Sequence, residues 1–513
     1  MTTATLRTLR FGEKAYPVVL PNGRDPRLHL AAVIISIHIL GQTVLGFRVT
    51  VPQILAAILT CFVIEVAVTF RRTRELVWPA SAMLTGSGVA LIFRIVGTER
   101  GDPWGWDGWH LFALVAGFSL LTKYMIRQRS THVFNPSNVG LVVAFLVLGS
   151  TRVEPLDFWW APFDGWMTLA YLIILGGGLL ITSRLELLEM AATFWVALAA
   201  GLGLVAASGH CMTAAWSLSP VCGGQFWWVV VSSPEILIFL FFMITDPKTI
   251  PAGRVARVMF AAGLALVSTL LIAPQSTEFG AKVGLLASLV LLSPVRRLFD
   301  RYPVASFVGA ASTPWRIYSR GVALGVGIAV VAIAIVAAGG PARVLAGAGP
   351  DSLPTEISVD IDPATLPSVS VAQDVAGLNS DVANNPQQVA VALAEDLAIE
   401  AEAMRRAESS YLREAADGER LIDQERRIEM AATAGQLPVP HYLFETLHLH
   451  VVHIAGPQGG ASLALDARGT VETTTYDSQG AELGRVTTDF EATFVLRQTA
   501  TGRWLIAVEV PLS

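Results

Sequence analysis

Three polar segments interrupt the long apolar runs of this chain, at 79–88, 132–140 and 232–251. Each combines Pro or Gly, which break helices, with hydroxyl or amide side chains that donate and accept hydrogen bonds. A broken helix leaves backbone N–H and C=O groups unpaired, and lipid cannot satisfy them. The segments therefore either kink tightly packed helices or meet around a polar ligand, and together they favour the second interpretation.

The candidate ligand-binding residues in these segments offer a hydroxyl, an amide or an aromatic ring, or shape the loop between such groups. They are Thr85, Gly86, Phe134, Asn135, Pro136, Asn138, Thr245 and Thr249. No group of Cys, His and acidic residues stands at metal-ligand spacing, so we predict no metal site. His448 and His450 share one strand face, and we interpret them as a solvated surface.

Two acidic residues are the candidate catalytic groups. Glu235 follows Pro234 inside an apolar run, where an ionised side chain costs about 2.5 kcal/mol or more unless it is paired. It is a candidate for proton or cation handling, or a neutral acid bonded to a broken helix. Asp246 ends the third segment and is a candidate for fixing its loop or meeting a cation.

The elements that must position these residues are membrane helices. Hydrophobic residues make up 53% of the 513 residues and charged residues 15%, whereas a soluble domain has about 25% charged residues. Crossing about 30 Å of hydrocarbon takes about 20 apolar residues in a helix. We predict an all-α polytopic membrane domain with about 11 transmembrane helices. The predicted spans are 29–47, 51–70, 79–96, 109–126, 135–150, 166–182, 187–207, 226–245, 257–273, 280–295 and 318–338.

The distribution of basic residues predicts the orientation. With the N-terminus in the cytoplasm, the inner segments hold about twenty Lys and Arg and the outer connections about five. We therefore predict a multi-pass protein of the bacterial inner membrane whose last span leads outside. Cys211 and Cys222 then share an outer loop, where we predict a disulfide, the alternative being two free thiols. Outside the loops at the membrane surface, the sequence has no stripe of basic residues, so we predict no binding of nucleic acid.

The predicted domains follow from these changes in composition. They are a cytoplasmic segment at 1–28, a ten-helix membrane domain at 29–300, a connection with an eleventh helix at 301–339, a linker at 340–385 and an extracytoplasmic α+β domain at 386–513. In the last domain, helices precede strands that alternate with period two. Its element order is similar to NTF2-like or Tim44-like folds, and we expect it to bind a protein partner outside the membrane.

The first ten spans form two groups of five, which run in opposite directions. Spans three and eight, which carry the first and third interrupted segments, are the third members of their groups. Interrupted helices at corresponding positions of an inverted repeat mark the binding site of such folds. We therefore expect the polar segments to meet at the repeat interface.

The ordered motifs Ser-Ala-Met-Leu-Thr-Gly, Phe-Asn-Pro-Ser-Asn and Phe-Met-Ile-Thr-Asp-Pro-Lys-Thr-Ile-Pro resemble those of one family of membrane subunits. It contains the D subunit of the Rnf electron-transport complex and the B subunit of the sodium-pumping NADH:quinone oxidoreductase. The resemblance covers roughly 29–300. It implies a 5+5 inverted-repeat fold, flavin carriers, other subunits as partners and electron transfer coupled to ion movement.

One motif of that family is missing. Members with covalent FMN attach it to the Thr of a Ser-Gly-Ala-Thr motif after span five, whereas this chain has Asp164-Gly165-Trp-Met-Thr168 there. Thr168 is either an altered attachment site or an ordinary residue that opens span six. With this motif missing, the resemblance implies non-covalent riboflavin or FMN, with hydrogen bonds from the polar segments and Phe134 beside the ring.

Three functions remain open from the sequence. The first is a flavin-binding electron-transport subunit, possible only with partner subunits, because the chain has no nucleotide loop or iron–sulfur cysteines of its own. The second is a channel or carrier for a small solute. The third is a scaffold in the lipid bilayer that anchors the outer domain.

Overall fold

The computed structural model describes residues 5–11, 14–23, 25–98, 102–128, 131–155, 165–301, 327, 329–340, 359, 361–454, 460–499 and 502–511. These residues form two compact units. The helical unit comprises Met1–His210, Gly223–Gln275 and Phe279–Pro341. The sheet unit comprises Cys211–Cys222, Ser276–Glu278 and Ala342–Ser513.

Helices dominate the first unit, and each predicted span that lies within the described residues coincides with helical structure. The helices are α1 (Pro26–Thr43), α2 (Val51–Thr73), α3 (Ala80–Ile92), α4 (Trp109–Met125), α5 (Pro136–Leu148), α6 (Gly165–Arg184), α7 (Leu188–Ala207), α8 (Gly223–Ser232), α9 (Pro234–Ile238), α10 (Arg254–Ile272), α11 (Glu278–Leu292), α12 (Arg296–Arg301) and α13 (Ala329–Ala338). A π-helical turn, Phe239–Met243, continues α9.

Six described helical runs are long and apolar enough to cross a membrane. They are α2, α6, α7, the run Gly223–Met243, α10 and the run Glu278–Phe299. The chain is therefore a helical multi-pass membrane protein with a strand-rich C-terminal domain. Of the predicted eleventh span, 318–338, residues 318–326 and 328 lie outside the described residues, which include α13 and residue 327 of it.

The strands of the helical unit are short. They are β1 (Thr5–Phe11), β2 (Lys14–Leu20), β3 (Leu76–Val77), β4 (Phe93–Ile95), β5 (Arg127–Gln128), β6 (Thr131–His132) and β7 (Val153–Pro155). β1, β2 and β3 form one small sheet, so the segment 1–28 contains a hairpin that hydropathy did not predict.

α3 and α5 have 13 residues each and extend about 20 Å, so helix alone does not cover the about 30 Å of bilayer hydrocarbon in these two predicted spans. α3 continues directly into β4, whereas four residues separate α5 from β7, and these two strands pair with each other. Their pairing satisfies backbone groups that the broken helices release. Arg94 and Glu154, directly opposite each other in this ladder, form an ion pair that is buried on the arginine side.

The sheet unit contains a five-stranded sheet in the order β10-β11-β12-β13-β14. Its elements are a hairpin of β8 (Cys211–Ala214) and β9 (Ser217–Cys222), then β10 (Val369–Val371), α14 (Gln373–Leu378), α15 (Ser380–Asn384), α16 (Gln387–Arg406), α17 (Gly418–Ala434), β11 (Gln436–Ile454), β12 (Gly460–Asp477), β13 (Glu482–Gln498) and β14 (Trp504–Pro511). All described pairs in this sheet are antiparallel except β10–β11.

One boundary in this domain differs from the predictions. The stretch 340–385 is not all linker, because β10 pairs with β11 and Val375 is fully buried in the sheet core. In the strand β12, Gly469 stays within the ladder and does not form a turn. Gly469 packs against the backbone of Leu443, where a Cβ would meet the carbonyl oxygen at 2.0 Å. This close approach explains a glycine in mid-strand.

The hairpin β8–β9 contributes to the core of the sheet unit. Its Leu218 is 6% exposed and packs in the same apolar cluster as Leu393 and Phe494. A disulfide joins Cys211 and Cys222, which pair directly across the hairpin. The disulfide-linked hairpin, which lies in sequence between α7 and α8, therefore belongs to the sheet unit. Composition alone did not indicate that this segment is part of that unit.

We expect that replacing Cys211 and Cys222 together with serine destabilises this hairpin by about 2–3 kcal/mol, because the disulfide closes a short loop. Hydrogen exchange of peptides covering 211–222 should accelerate in the variant, and in the wild type after reduction. Cys61→Ala is the control, because Cys61 is buried and free. Unchanged exchange in the double variant would contradict the prediction.

Candidate functional site

The polar segments meet in the helical unit around a cavity of about 500 Å³. Its walls come from the start of α1, from α3, from β6 and the start of α5, from the end of α6, and from the region after α9. Of the sequence-predicted residues, those on the wall are Thr85, Asn135, Pro136, Thr245 and Asp246. These residues are separated by up to about 160 positions in sequence and are brought together only by packing.

Thr85 presents its side chain to the cavity, whereas its neighbour Gly86 does not. The Thr85 hydroxyl donates to the Ser81 carbonyl at 3.1 Å, one turn earlier on α3, and its oxygen remains able to accept. Gly86 faces α2, and a Cβ on it would lie 2.5 Å from the Ala57 carbonyl oxygen. Gly86 is therefore a helix-packing residue and does not line the cavity.

Asn135 begins α5 and ties it to the third segment. Its Nδ2 donates to the Met243 carbonyl at 3.2 Å, and its Oδ1 accepts from the Ser137 hydroxyl at 2.9 Å. Thr245 donates to the Phe241 carbonyl at 2.5 Å, which closes the last turn of the broken helix. These side chains satisfy backbone groups at the break and form the polar part of the wall.

Three other predicted residues are near the cavity in sequence but do not line it. Asn138 is buried and donates to the Leu286 carbonyl at 2.9 Å, so it joins α5 to α11. Thr249 is buried and donates to the Asp246 carbonyl at 3.1 Å. Phe134 is partly buried outside the wall. The aromatic part of the wall comes instead from Phe241 and Phe242.

Both carboxylate oxygens of Asp246 have a hydrogen-bonding partner. Oδ1 accepts from the Lys248 amide at 3.1 Å, and Oδ2 lies 3.2 Å from Nε2 of His132. Burial raises the pKa of Asp246, but the hydrogen bonds to His132 and Lys248 lower it further, and the net pKa lies below its ordinary value. Asp246 is therefore an anion that faces an imidazole.

Arg296 joins the two loops that carry this pair. One guanidinium nitrogen donates to the Lys248 carbonyl, and Nη2 donates to the Thr131 hydroxyl at 2.9 Å. Arg296 is buried, so these charge-assisted bonds form away from bulk water. The sequence analysis did not single out Arg296.

Glu235 lies beside a second, smaller cavity of about 40 Å³. Its Oε1 is 3.4 Å from Nζ of Lys282, which is 4% exposed. The wall of this cavity shares Leu91, Ile238 and Met243 with that of the larger one. Glu235 is thus ion-paired with a buried lysine that the sequence analysis did not single out.

Thr168 lies at the start of α6, whereas the residue of α6 that reaches the cavity, Ile181, lies near its end. Thirteen residues separate them, about 20 Å along a helix. Thr168 is exposed, and the preceding Asp164 lies outside the described residues. The structure therefore does not bring Thr168 to the cavity.

Two residues that the sequence analysis did not single out are Asp25 and Arg27, at the start of α1. Asp25 caps the helix by accepting from the Arg27 amide at 3.0 Å, and the two side chains form an ion pair at 2.5 Å. The bond to Arg27 holds the pKa of Asp25 below its ordinary value. The sequence Asp-Pro-Arg before an apolar run signals a helix start, but nothing in it signals a cavity.

The cavity is large enough for a small molecule, and its wall combines apolar side chains with a few polar and charged ones. Its volume falls within the range of about 300–1,000 Å³ that is usual for ligand sites. Among the described residues, no group of three or more His, Cys, Asp or Glu is placed to hold a metal ion. Comparison with known protein families and with curated proteins finds no family and no protein that matches this chain.

Proposed function

We propose that this chain is a membrane subunit of an electron-transport complex and that its helical unit binds riboflavin or FMN without a covalent link. The observation that carries this proposal is the convergence of three broken-helix segments on one cavity of about 500 Å³. The three motifs in these segments resemble those of the Rnf D and sodium-pumping B subunits. From this resemblance we infer that the ligand is a flavin.

The residues of the wall fit a flavin. Phe241 and Phe242, with aliphatic side chains of α3, offer an apolar surface for the ring system. Asn135, Thr85 and Ser137 offer hydrogen-bonding groups to its polar edge. A bound flavin supplies one-electron and two-electron chemistry, and the protein supplies orientation and electrostatics.

Two cations on the wall fit a phosphate, and they would favour FMN over riboflavin. Lys248 follows the broken helix, and Arg27 lies at the start of α1. Arg27 is already paired with Asp25, whereas Lys248 has a 3.1 Å backbone bond to Asp246 Oδ1 and an ammonium group that can reach the cavity. The absence of the Ser-Gly-Ala-Thr motif and the remote position of Thr168 support a non-covalent link.

We also propose the finer topology that the sequence predicts. It has eleven spans in a bacterial inner membrane, in a 5+5 inverted repeat plus one, with the N-terminus in the cytoplasm. The asymmetry of Lys and Arg supports this orientation, and the Cys211–Cys222 disulfide supports an oxidising environment for the sheet domain. Electron transfer then needs other subunits as donor and acceptor, and residues 386–513 are available for an outer protein partner.

The direct test is the visible spectrum of the purified protein, before and after acid precipitation. We expect yellow absorbance that acid releases into the supernatant. In flavin-free protein, quenching of riboflavin fluorescence measures the affinity. Asn135→Leu, which keeps the side-chain size and removes the hydrogen bonds, should weaken riboflavin binding about tenfold, equivalent to the loss of about 1.4 kcal/mol.

Thr168→Val is the matched control, since it removes a hydroxyl about 20 Å from the cavity wall along α6. Its riboflavin affinity should equal that of the wild type. Flavin that stays in the acid pellet of the wild type but not of Thr168→Val would show a covalent link instead. A colourless, folded protein that does not bind riboflavin would exclude the flavin function and leave the scaffold and conduction functions.

A second candidate function is conduction of a proton, cation or small solute. It is favoured by the ion pair of Glu235 and Lys282 beside a small cavity that shares wall residues with the larger one. Flux into liposomes that Glu235→Gln alters, in protein without flavin, would favour this candidate. Such flux is not expected of a scaffold.

A further inference from the structure

One edge of the five-stranded sheet is open over part of its length. β14 covers β13 only at residues 492–498. Within the described residues, no strand pairs with the preceding part of β13, 482–491, on the side away from β12. The first eight of these residues are exposed, and the apolar side chains among them, Leu483 and Val486, are 54% and 62% exposed. This open edge presents backbone N–H and C=O groups that a further strand can bind.

The other two edges of the sheet are protected against such pairing. On β14, Ile506 donates to the Ala415 carbonyl and accepts from the Asp417 amide, both at 2.9 Å. On β11, β10 pairs with three residues, and Pro438 and Pro440 in the first half of the strand lack the N–H that an added strand needs. The open edge contains neither proline nor lysine, the residues that commonly block strand edges.

The sequence of the open edge is self-complementary about Thr487. Two antiparallel copies with Thr487 opposite Thr487 place Arg485 opposite Asp489 on both sides of the two-fold axis. Opposite charges at directly opposed positions stabilise an antiparallel pair by about 0.2–1 kcal/mol. The same register places Gly484 opposite Phe490, where the missing side chain leaves room for the ring.

This register also matches the length of the open edge. It uses residues 483–491 of each copy, and the next residue, Ala492, already faces Pro511 of β14. The strand of the second copy therefore continues the path of β14 from the point where β14 ends. Both run antiparallel to β13, so they point in the same direction.

The register keeps the apolar face of the sheet continuous. Phe490 packs on the core of the sheet unit beside Phe494, and Val486 lies on the same face because side chains alternate along a strand. Val486 is then diagonally across from Phe490 of the second copy, a distance that an aromatic side chain spans. A shift by one residue would bring this face of one copy against the opposite face of the other.

The charges within each copy leave one acid of the open edge without a partner. Arg485 pairs with Glu472 at 2.5 Å, and Glu491 pairs with Arg468 at 2.5 Å. Asp489, by contrast, takes part in no ion pair with any described residue. In the symmetric register Asp489 gains a cation, Arg485 of the second copy.

We propose that two copies of this chain associate through antiparallel pairing of residues 483–491 about Thr487. The interface is isologous, and it joins the five strands of each copy into one continuous sheet. The occupant of the open edge is a second copy because the edge itself supplies both members of each new charge pair. The interface lies entirely within the sheet unit, so it does not depend on the proposed flavin function.

Thr487→Cys tests the register, because the two new thiols face each other across the axis. Directly opposed residues of antiparallel strands have Cα atoms about 4.5–5.5 Å apart, a distance that a disulfide bridges. We expect oxidation of the full-length variant in detergent to give a covalent dimer on a non-reducing gel. Ser478→Cys is the control, because Ser478 is exposed in the turn before β13 and lies far from its counterpart in this register. Cys211 and Cys222 are bonded to each other and Cys61 is buried, so the new thiol is the one that reacts.

Charge reversal tests the same pairing without a cross-link. Asp489→Arg brings an arginine opposite Arg485 on both sides of the axis. It should weaken the dimer at least tenfold, measured by light scattering of the detergent-solubilised protein over a dilution series and corrected for bound detergent. Adding Arg485→Glu to this variant makes the opposed charges attractive again and should restore most of the affinity. Arg426→Glu is the matched control, because it reverses an exposed charge on α17 and should leave the dimer unchanged.

Equal cross-linking of Thr487→Cys and Ser478→Cys would overturn the inference. A wild type that is monomeric at every concentration tested would also overturn it, as would a dimer whose affinity Asp489→Arg leaves unchanged. Riboflavin binding measured in the same samples keeps the two proposals apart, because the open edge contains no residue of the cavity wall. Loss of the dimer with normal riboflavin binding is the result that we expect of Asp489→Arg.

Discussion

Replacing Arg420 with methionine is expected to lower the stability of the sheet unit by about 3–5 kcal/mol, because it leaves a buried carboxylate without its partner. The Arg420 side chain is 4% exposed. Its Nη2 and Nε donate to the two carboxylate oxygens of Glu400 at 2.6 and 2.9 Å, and it also pairs with Glu509. In the variant, Glu400 retains only the Gln424 amide at 3.2 Å.

Peptide-resolved hydrogen exchange of the full protein in detergent measures this loss, as faster exchange of α16 and β14. Arg426→Met is the matched control, because Arg426 and Asp423 form an exposed pair at 3.4 Å and such pairs contribute about 0–1 kcal/mol. Adding Glu400→Leu to Arg420→Met should recover much of the stability, since an apolar pair of similar volume replaces an unpaired charge. Equal effects of Arg420→Met and Arg426→Met would refute the buried ion pair.

Gly86→Ala is expected to weaken riboflavin binding at least tenfold and to lower the melting temperature of the helical unit. The new Cβ would lie 2.5 Å from the Ala57 carbonyl oxygen and 2.9 Å from Ile58 Cα, both backbone atoms. Because backbone atoms cannot rotate away, α2 and α3 must separate, and overpacking of this kind costs about 1–3 kcal/mol. α3 carries Thr85, so the cavity wall moves with it.

Gly176→Ala is the control for the helical substitution itself. Gly176 lies within α6 and has no atom within 4 Å of an added Cβ. Alanine is favoured over glycine in a helix by about 1 kcal/mol, so this variant should be at least as stable as the wild type and bind riboflavin normally. If both variants behave alike, the close approach of α2 and α3 does not shape the cavity.

The pH dependence of the sheet unit gives another test. Asp396 is fully buried, and burial raises its pKa well above the ordinary value of 3.8, although Arg503 at 3.8 Å opposes the shift. The folded state therefore keeps a proton that the unfolded chain has released. This contribution to stability is complete below pH 3.8 and is lost as the pH rises towards the folded-state pKa.

Asp396→Asn should remove this loss, so that the sheet unit becomes less sensitive to rising pH. Hydrogen exchange of α16, corrected for the intrinsic effect of pH on exchange, measures the difference. Asp423→Asn is the control, because the Asp423 side chain is 60% exposed. A pH dependence in Asp396→Asn as steep as that of the wild type would contradict the assignment.

Hydropathy predicted where the helices lie because the requirement is local. A helix of about 20 apolar residues is long enough to cross the hydrocarbon core of the bilayer, and this does not depend on the rest of the chain. The helices α2, α7 and α10 accordingly begin and end within a few residues of the predicted spans. The same reasoning predicted 79–96 as one span, since it could not detect that Phe93–Ile95 leave the helix to pair with Val153–Pro155, which follow α5.

The sequence by itself determined the class of protein, a helical membrane body followed by a strand-rich domain, and it identified the three segments that carry Thr85, Asn135 and Asp246. Only the tertiary structure decided which neighbours of these residues face the cavity, and it supplied their partners. His132 with Asp246 and Lys282 with Glu235 are pairs between residues dozens of positions apart. Composition and periodicity act over one turn or one strand, whereas such pairs depend on how distant helices pack, which no local pattern encodes.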